Sequence, residues 1–175
     1  MAWIFSLSAE CGSDESNVNK FAEHFEGLEW MLSNNRKCLC RTDTFQDMDR
    51  NWWCRVYPNN ISEVGIDSPE SAYVMTELGI LFYLNLRFAP CFRYALVGVE
   101  VDEFRTYSEL MEDLSNLSIP GLVLANELTH GLELLPVFRP FSPSYVWQPY
   151  EGEVYNPLMA SPELKNKLNE LLAVS

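Results

Sequence analysis

The chain predicts an α+β fold in a single domain over residues 1–175. The expected sheet is antiparallel or mixed, with a β-meander near the N-terminus, one long buried helix over about 69–88 and a C-terminal helix. Three observations predict it. Short β-prone runs separated by turn residues fill the first third. One later stretch carries helix-start signals and then apolar residues on nearly every side. Strands and helices are grouped rather than strictly alternating, which disfavours a doubly wound parallel sheet. With 175 residues, 47% of them apolar and 13% aromatic, the chain has enough material for one sizeable core and too much to remain disordered.

AWIFSLSA (2–9) reads as a first strand and CGSDESN as the loop after it. In residues 17–28, Val18, Phe21 and Phe25 recur at helical spacing, and Gly27 is a stop signal. LEWMLS (28–33) alternates, Asn34-Asn35 suits a tight turn, and KCLCRT (37–42) returns, giving a hairpin. Residues 43–50 read as a polar loop leading to a third strand, NWWCRVY (51–57).

Asp67 and Ser68 offer N-caps, Pro69 suits a first helical turn, and Glu70 complements the positive end of the dipole. The following stripe of Val74, Met75, Leu78, Leu81 and Phe82, widened by Ile80, Leu84 and Leu86, exceeds one face. Such a helix lies between two surfaces, and Gly79 permits a close crossing. CFRYALVGVEV (91–101) is apolar on both faces, as a central strand is. SELMEDLSNL (108–117) predicts a short helix, residues 121–135 a strand and then a turn, and ELKNKLNELLA (163–173) the final helix behind a Ser161-Pro162 start.

Residues 136–157, PVFRPFSPSYVWQPYEGEVYNP, hold five prolines and six aromatic rings. Proline fixes φ and removes an N–H, so regular helix or sheet is not expected here. The expectation is a Pro/aromatic arm, residues 136–160, packed on the body. Tyr145, Trp147 and Tyr150 sit among Gln148, Glu151 and Glu153 and are its expected exposed rings. With Arg139 they form a candidate contact surface, since aromatics and arginine dominate interface energetics.

The net charge is −13, which opposes phosphate and anionic lipid and favours a basic partner. Six carboxylates in residues 10–29 face Lys20 alone, and six in residues 100–113 face Arg105 alone. Residues 36–55 are basic and are expected to lie beside the acidic segments. No run reaches the length of a membrane span, and MAWIFSLSAEC lacks a basic start, so an intracellular, cytoplasmic location with reduced cysteines is expected.

Several clusters invite chemistry. Cys38 and Cys40 share a strand face with Cys54 nearby, but one-residue spacing is poor for zinc, and buried cysteine is the reading adopted. Glu127 and His130 are spaced as in some metal-binding helices, without a second such pair. Glu100 and Asp102, with Glu103, would share a strand face as paired carboxylates, or simply mark the strand's polar exit. No nucleophile elbow, phosphate loop or dinucleotide fingerprint is present. No catalytic residue, metal or cofactor is assigned. The functional expectation is a binding or regulatory protein, of the inhibitor, immunity or adaptor kind, that recognises a basic protein. The alternatives are a ligand-binding domain or enzyme with a pocket under the arm, and self-association through the helix at 69–88.

Overall fold

A computed structural model describes residues 5–59, 68–102, 104–133, 136–153 and 155–172. Eight strands occur among them: β1 (Phe5–Gly12), β2 (Glu29–Met31), β3 (Lys37–Gln46), β4 (Trp52–Asn59), β5 (Tyr94–Val99), β6 (Val123–Ala125), β7 (Arg139–Ser142) and β8 (Tyr145–Trp147). All join one sheet in the order β2-β3-β4-β1-β5-β6-β8-β7, and every pairing is antiparallel. Five helices accompany it: α1 (Glu15–Phe25), α2 (Pro69–Leu86), α3 (Tyr107–Asp113), α4 (Pro157–Ala160) and α5 (Pro162–Leu172). The fold is therefore α+β, as expected.

The centre of the sheet is covered on both faces. From β1, Phe5, Leu7, Ala9 and Cys11 join a core with Val18 and Phe21 of α1, Leu78 and Phe82 of α2, and Leu164 and Leu168 of α5. The opposite face carries Trp53 and Tyr94 against Leu110 of α3 and Leu114, Leu117 and Leu128 of two short 3₁₀ turns. Trp52 and Trp53 thus serve opposite faces, as adjacent strand residues must. Two-sided cover explains why Tyr94–Val99, within the 91–101 run, carries no charged residue.

Helix starts follow their side-chain chemistry. Asp14 caps α1 by accepting from the Ser16 N–H at 2.9 Å. Ser68 and Ser71 form a reciprocal capping box at α2, with Pro69 at its start. Gly27, at φ +81°, follows the end of α1. Gly79 admits Tyr150: a Cβ there would lie 2.7 Å from the Tyr150 hydroxyl. The close crossing at Gly79 is therefore with a tyrosine ring rather than with another helix.

The two buried carboxylates with cationic partners are structural. Glu10 of β1 is fully buried; it accepts from Arg93 Nε at 2.8 Å, from a second Arg93 nitrogen, and from the Gly12 N–H at 2.7 Å. Arg93 in turn lies 4.0 Å over the Tyr107 ring. Glu77 of α2 accepts from the Ser33 N–H and hydroxyl and from Lys167 at 2.7 Å, tying the turn after β2 to α2 and α5.

Three local expectations change. The first strand continues through Cys11 and Gly12, because Gly12 still pairs with Trp52; residues 1–4 lie outside the described residues. Residues 43–46 are strand rather than loop, with Asp43, Thr44, Phe45 and Gln46 all paired to β4. The third change is the arm. It does not lie across the sheet as irregular chain; it extends the sheet as the β7–β8 hairpin, with β8 paired to β6. Proline is tolerated because Pro140 sits on the outermost strand, where a missing N–H costs least, next to a bulge between Pro140 and Ser142.

Candidate functional site

Of the three arm rings expected to be exposed, Tyr145, Trp147 and Tyr150, two are buried and one is half-buried. Trp147 is 0% exposed and Tyr150 is 4%. Tyr83 of α2 gathers them: its ring centre is 5.1 Å from Trp147 and from Tyr150, and 6.3 Å from Phe141. Tyr145 is half-buried, stacked on Phe92 at 4.2 Å and donating to its carbonyl at 2.7 Å. Burial pushes the Tyr145 hydroxyl up to about 12, so it stays protonated. These rings fill the space beneath the β7–β8 hairpin. Arg139 stands exposed on β7.

The carboxylates after β5 do not form a pair. The strand ends at Val99, and Glu100 turns out at φ +57°, exposed. Asp102 is drawn instead to Arg55 of β4, which also donates to Asp43 at 3.0 Å. That Asp43–Arg55–Asp102 group ties the turn to the sheet and uses part of the basic 36–55 segment. Glu103 lies outside the described residues. Arg41 likewise meets Glu26, which caps the end of α1, at 3.3 Å, so the basic hairpin lies beside an acidic helix as expected.

Cys38, Cys40 and Cys54 are fully buried in the core. Burial raises the Cys54 and Cys11 thiols, which keeps them protonated and poorly nucleophilic. Among the described residues no group of three or more His, Cys, Asp or Glu is placed to hold a metal ion. His24 lies 3.0 Å from the Asn85 carbonyl and joins α1 to α2; His130 is exposed.

The accessible feature that does bring chemistry together lies where the arm ends. A recess of about 540 Å³ opens between the starts of α2, α4 and α5, lined by Pro69, Tyr73, Tyr155, Pro157, Pro162 and Glu163 among others. Each helix begins with a proline whose absent N–H would be unpaired in any case. Tyr73 donates to Glu163 across 3.5 Å. Tyr155 and Asn156 reverse the chain into α4 through consecutive left-handed conformations, φ +67° and +48°. For a tyrosine that conformation costs about 1–3 kcal/mol. It holds the Tyr155 ring 55% exposed at the recess, with Met159 88% exposed nearby in the sequence.

α2 and α5 each present roughly half a positive charge at their starts. Glu70 lies in the first turn of α2 and Glu163 in that of α5, and Glu163 lines the recess itself. Sequence reading did not pick out Tyr73 or Glu163, and it placed Tyr155 in the arm without singling it out.

The chain matches no family model, no curated protein and no solved structure. Among the described residues no helix is long and apolar enough to cross a membrane.

Proposed function

We propose that this chain acts by binding, as a regulatory or inhibitory module that recognises a basic protein. The observation that carries the reading is Tyr155. Its ring is held exposed by a strained backbone, on a recess shared with Tyr73 and Glu163. An aromatic wall with a carboxylate at its edge suits an arginine or lysine side chain, through cation–π attraction and an ion pair. The net charge of −13 would speed encounter with such a partner.

A hexa-arginine peptide is a sufficient probe. Titration followed by tyrosine NMR should move the Tyr73 and Tyr155 ring signals, and affinity should fall steeply as salt shortens the screening length below about 10 Å. Tyr155→Ala should weaken binding about fivefold or more, equivalent to about 1 kcal/mol. Binding that leaves both rings unmoved, or that Tyr155→Ala does not weaken, would overturn the reading.

A further inference from the structure

β3 runs on past its neighbour. β2 covers only Lys37, Cys38 and Leu39, through Met31, Trp30 and Glu29. Cys40 keeps partners on that side: its N–H donates to Leu28 at 2.8 Å and its carbonyl accepts from Gly27 at 3.1 Å. The backbone of Cys40 therefore points away from β4. In an antiparallel ladder alternate residues point the same way, so Thr42, Thr44 and Gln46 also turn their backbone groups outward. The β3–β4 register is unbroken over this stretch.

At Thr42 a side chain stands in for a strand. Glu26 accepts from the Thr42 N–H at 2.8 Å and from its hydroxyl at 2.6 Å. Thr44 and Gln46 have no outward backbone partner among the described residues, and both are exposed. Alongside lies a recess of about 380 Å³ between α1 and the strand, lined by Asn19, Ala22, Glu23, Glu26, Thr42 and Thr44. A row of unpaired N–H and C=O groups is a template for another strand.

We propose that this edge of β3 takes up an extended, basic segment of a partner protein by strand addition, with Glu26 as the displaceable placeholder. A carbonyl of the incoming segment replaces Glu26 at the Thr42 N–H, and Thr44 and Gln46 complete the ladder. Glu26, released, joins Glu23 in pairing with the segment's lysines or arginines. The Thr42 hydroxyl first, and Arg41 after it, hold the Glu26 carboxyl below its ordinary range, so it is charged when the partner arrives. A second copy of this chain is the poorer occupant, because each copy brings its own Glu23 and Glu26 to the seam and carries −13 overall. The site shares no residue with the Tyr155 recess, so either can fail without the other.

The test uses an eight-residue peptide of alternating lysine and valine, with an alternating glutamate and valine peptide and a version of the basic peptide N-methylated at every second residue as controls. Amide hydrogen exchange on the full chain is the readout. The basic peptide should slow exchange at Thr44 and Gln46 about tenfold or more. Neither control should do so. Thr44→Pro, which removes one edge donor, should abolish the protection at Gln46 and leave the melting temperature near that of the parent, while Tyr155→Ala leaves the protection intact. Unchanged exchange at millimolar peptide, or protection by the N-methylated peptide equal to that by the parent peptide, overturns the proposal. A dimer in sedimentation that Thr44→Pro disperses would overturn it in favour of self-pairing.

Discussion

At one margin of the sheet, β7 ends the ladder with Pro140, a bulge, and Pro143 just beyond. At the other, β3 continues past β2 with Thr42 and Thr44 facing outward, and a single carboxylate in the way. Both margins are short and polar, yet they deter added strands by different means. Proline and a bulge remove the capacity to pair, permanently. Glu26 only occupies one position, and its side chain is 42% exposed. Natural sheets guard their edges, and an edge guarded by one displaceable side chain fits the strand addition proposed above.

The sharpest way to break this comparison is to attack the closed margin from beneath. Trp147→Ala would empty the ring cluster under β7 and β8; it should cost about 3–5 kcal/mol in chemical denaturation. A loss below about 1 kcal/mol would mean the hairpin is not anchored as described. Next comes a proline placed on each side. Val146 of β8 pairs with both Leu124 and Pro140, so Val146→Pro should cost about 3 kcal/mol or more. Thr44→Pro removes an N–H that has no partner and should stay within about 1 kcal/mol. Equal losses would show that the β3 edge is already paired.

The smallest effect is a difference of sign with pH. Two carboxylates secure the two sides, Glu77 buried and Glu153 half-buried. Glu77 holds the turn after β2. Burial alone would raise its carboxyl, but donors from Lys167 and Ser33 outweigh this and hold it below its ordinary range. Its contribution is present above the unfolded value and is lost as pH falls through the lower folded one. Glu153 secures the segment after β8. It accepts from the Tyr150 hydroxyl at 2.5 Å, its own N–H donates to Thr76 at 3.1 Å, and burial raises its carboxyl. Its contribution is complete below the unfolded value and is lost as pH rises through the higher folded one. Denaturation measured from about pH 3 to 7 should therefore show Glu77→Gln flattening the acid side and Glu153→Gln flattening the decline above it. Two variants that change the same limb would contradict this assignment.

Much of this architecture can be read from local chemistry. Ser68, Pro69 and Glu70 announce α2, and Val18, Phe21 and Phe25 announce the buried face of α1, because caps and periodicity are properties of neighbouring residues. The arm was harder. Proline in an isolated segment argues against a strand, and only its place on the outermost strand makes Pro140 acceptable. Trp147 and Tyr150 have polar neighbours in sequence, yet Tyr83, far earlier in the chain, supplies their cover. The open edge escaped notice because TDTFQ resembles a polar loop until β4 is known to run beside it. The recess at Tyr155 joins the start of α2 to those of α4 and α5, far later in the sequence, and a tyrosine gives no local sign of a left-handed backbone.

The position of β1 has a consequence for how the molecule assembles. Leu7 pairs with Val56 on one side and Phe5 with Val99 on the other, so the strand that precedes all the others must wait for both flanks. During synthesis at about 5–20 residues per second, the β2–β4 meander is available several seconds before β5. A chain halted in that interval exposes the β1 margin that β5 later covers, which makes that nascent stage the one most in need of a chaperone.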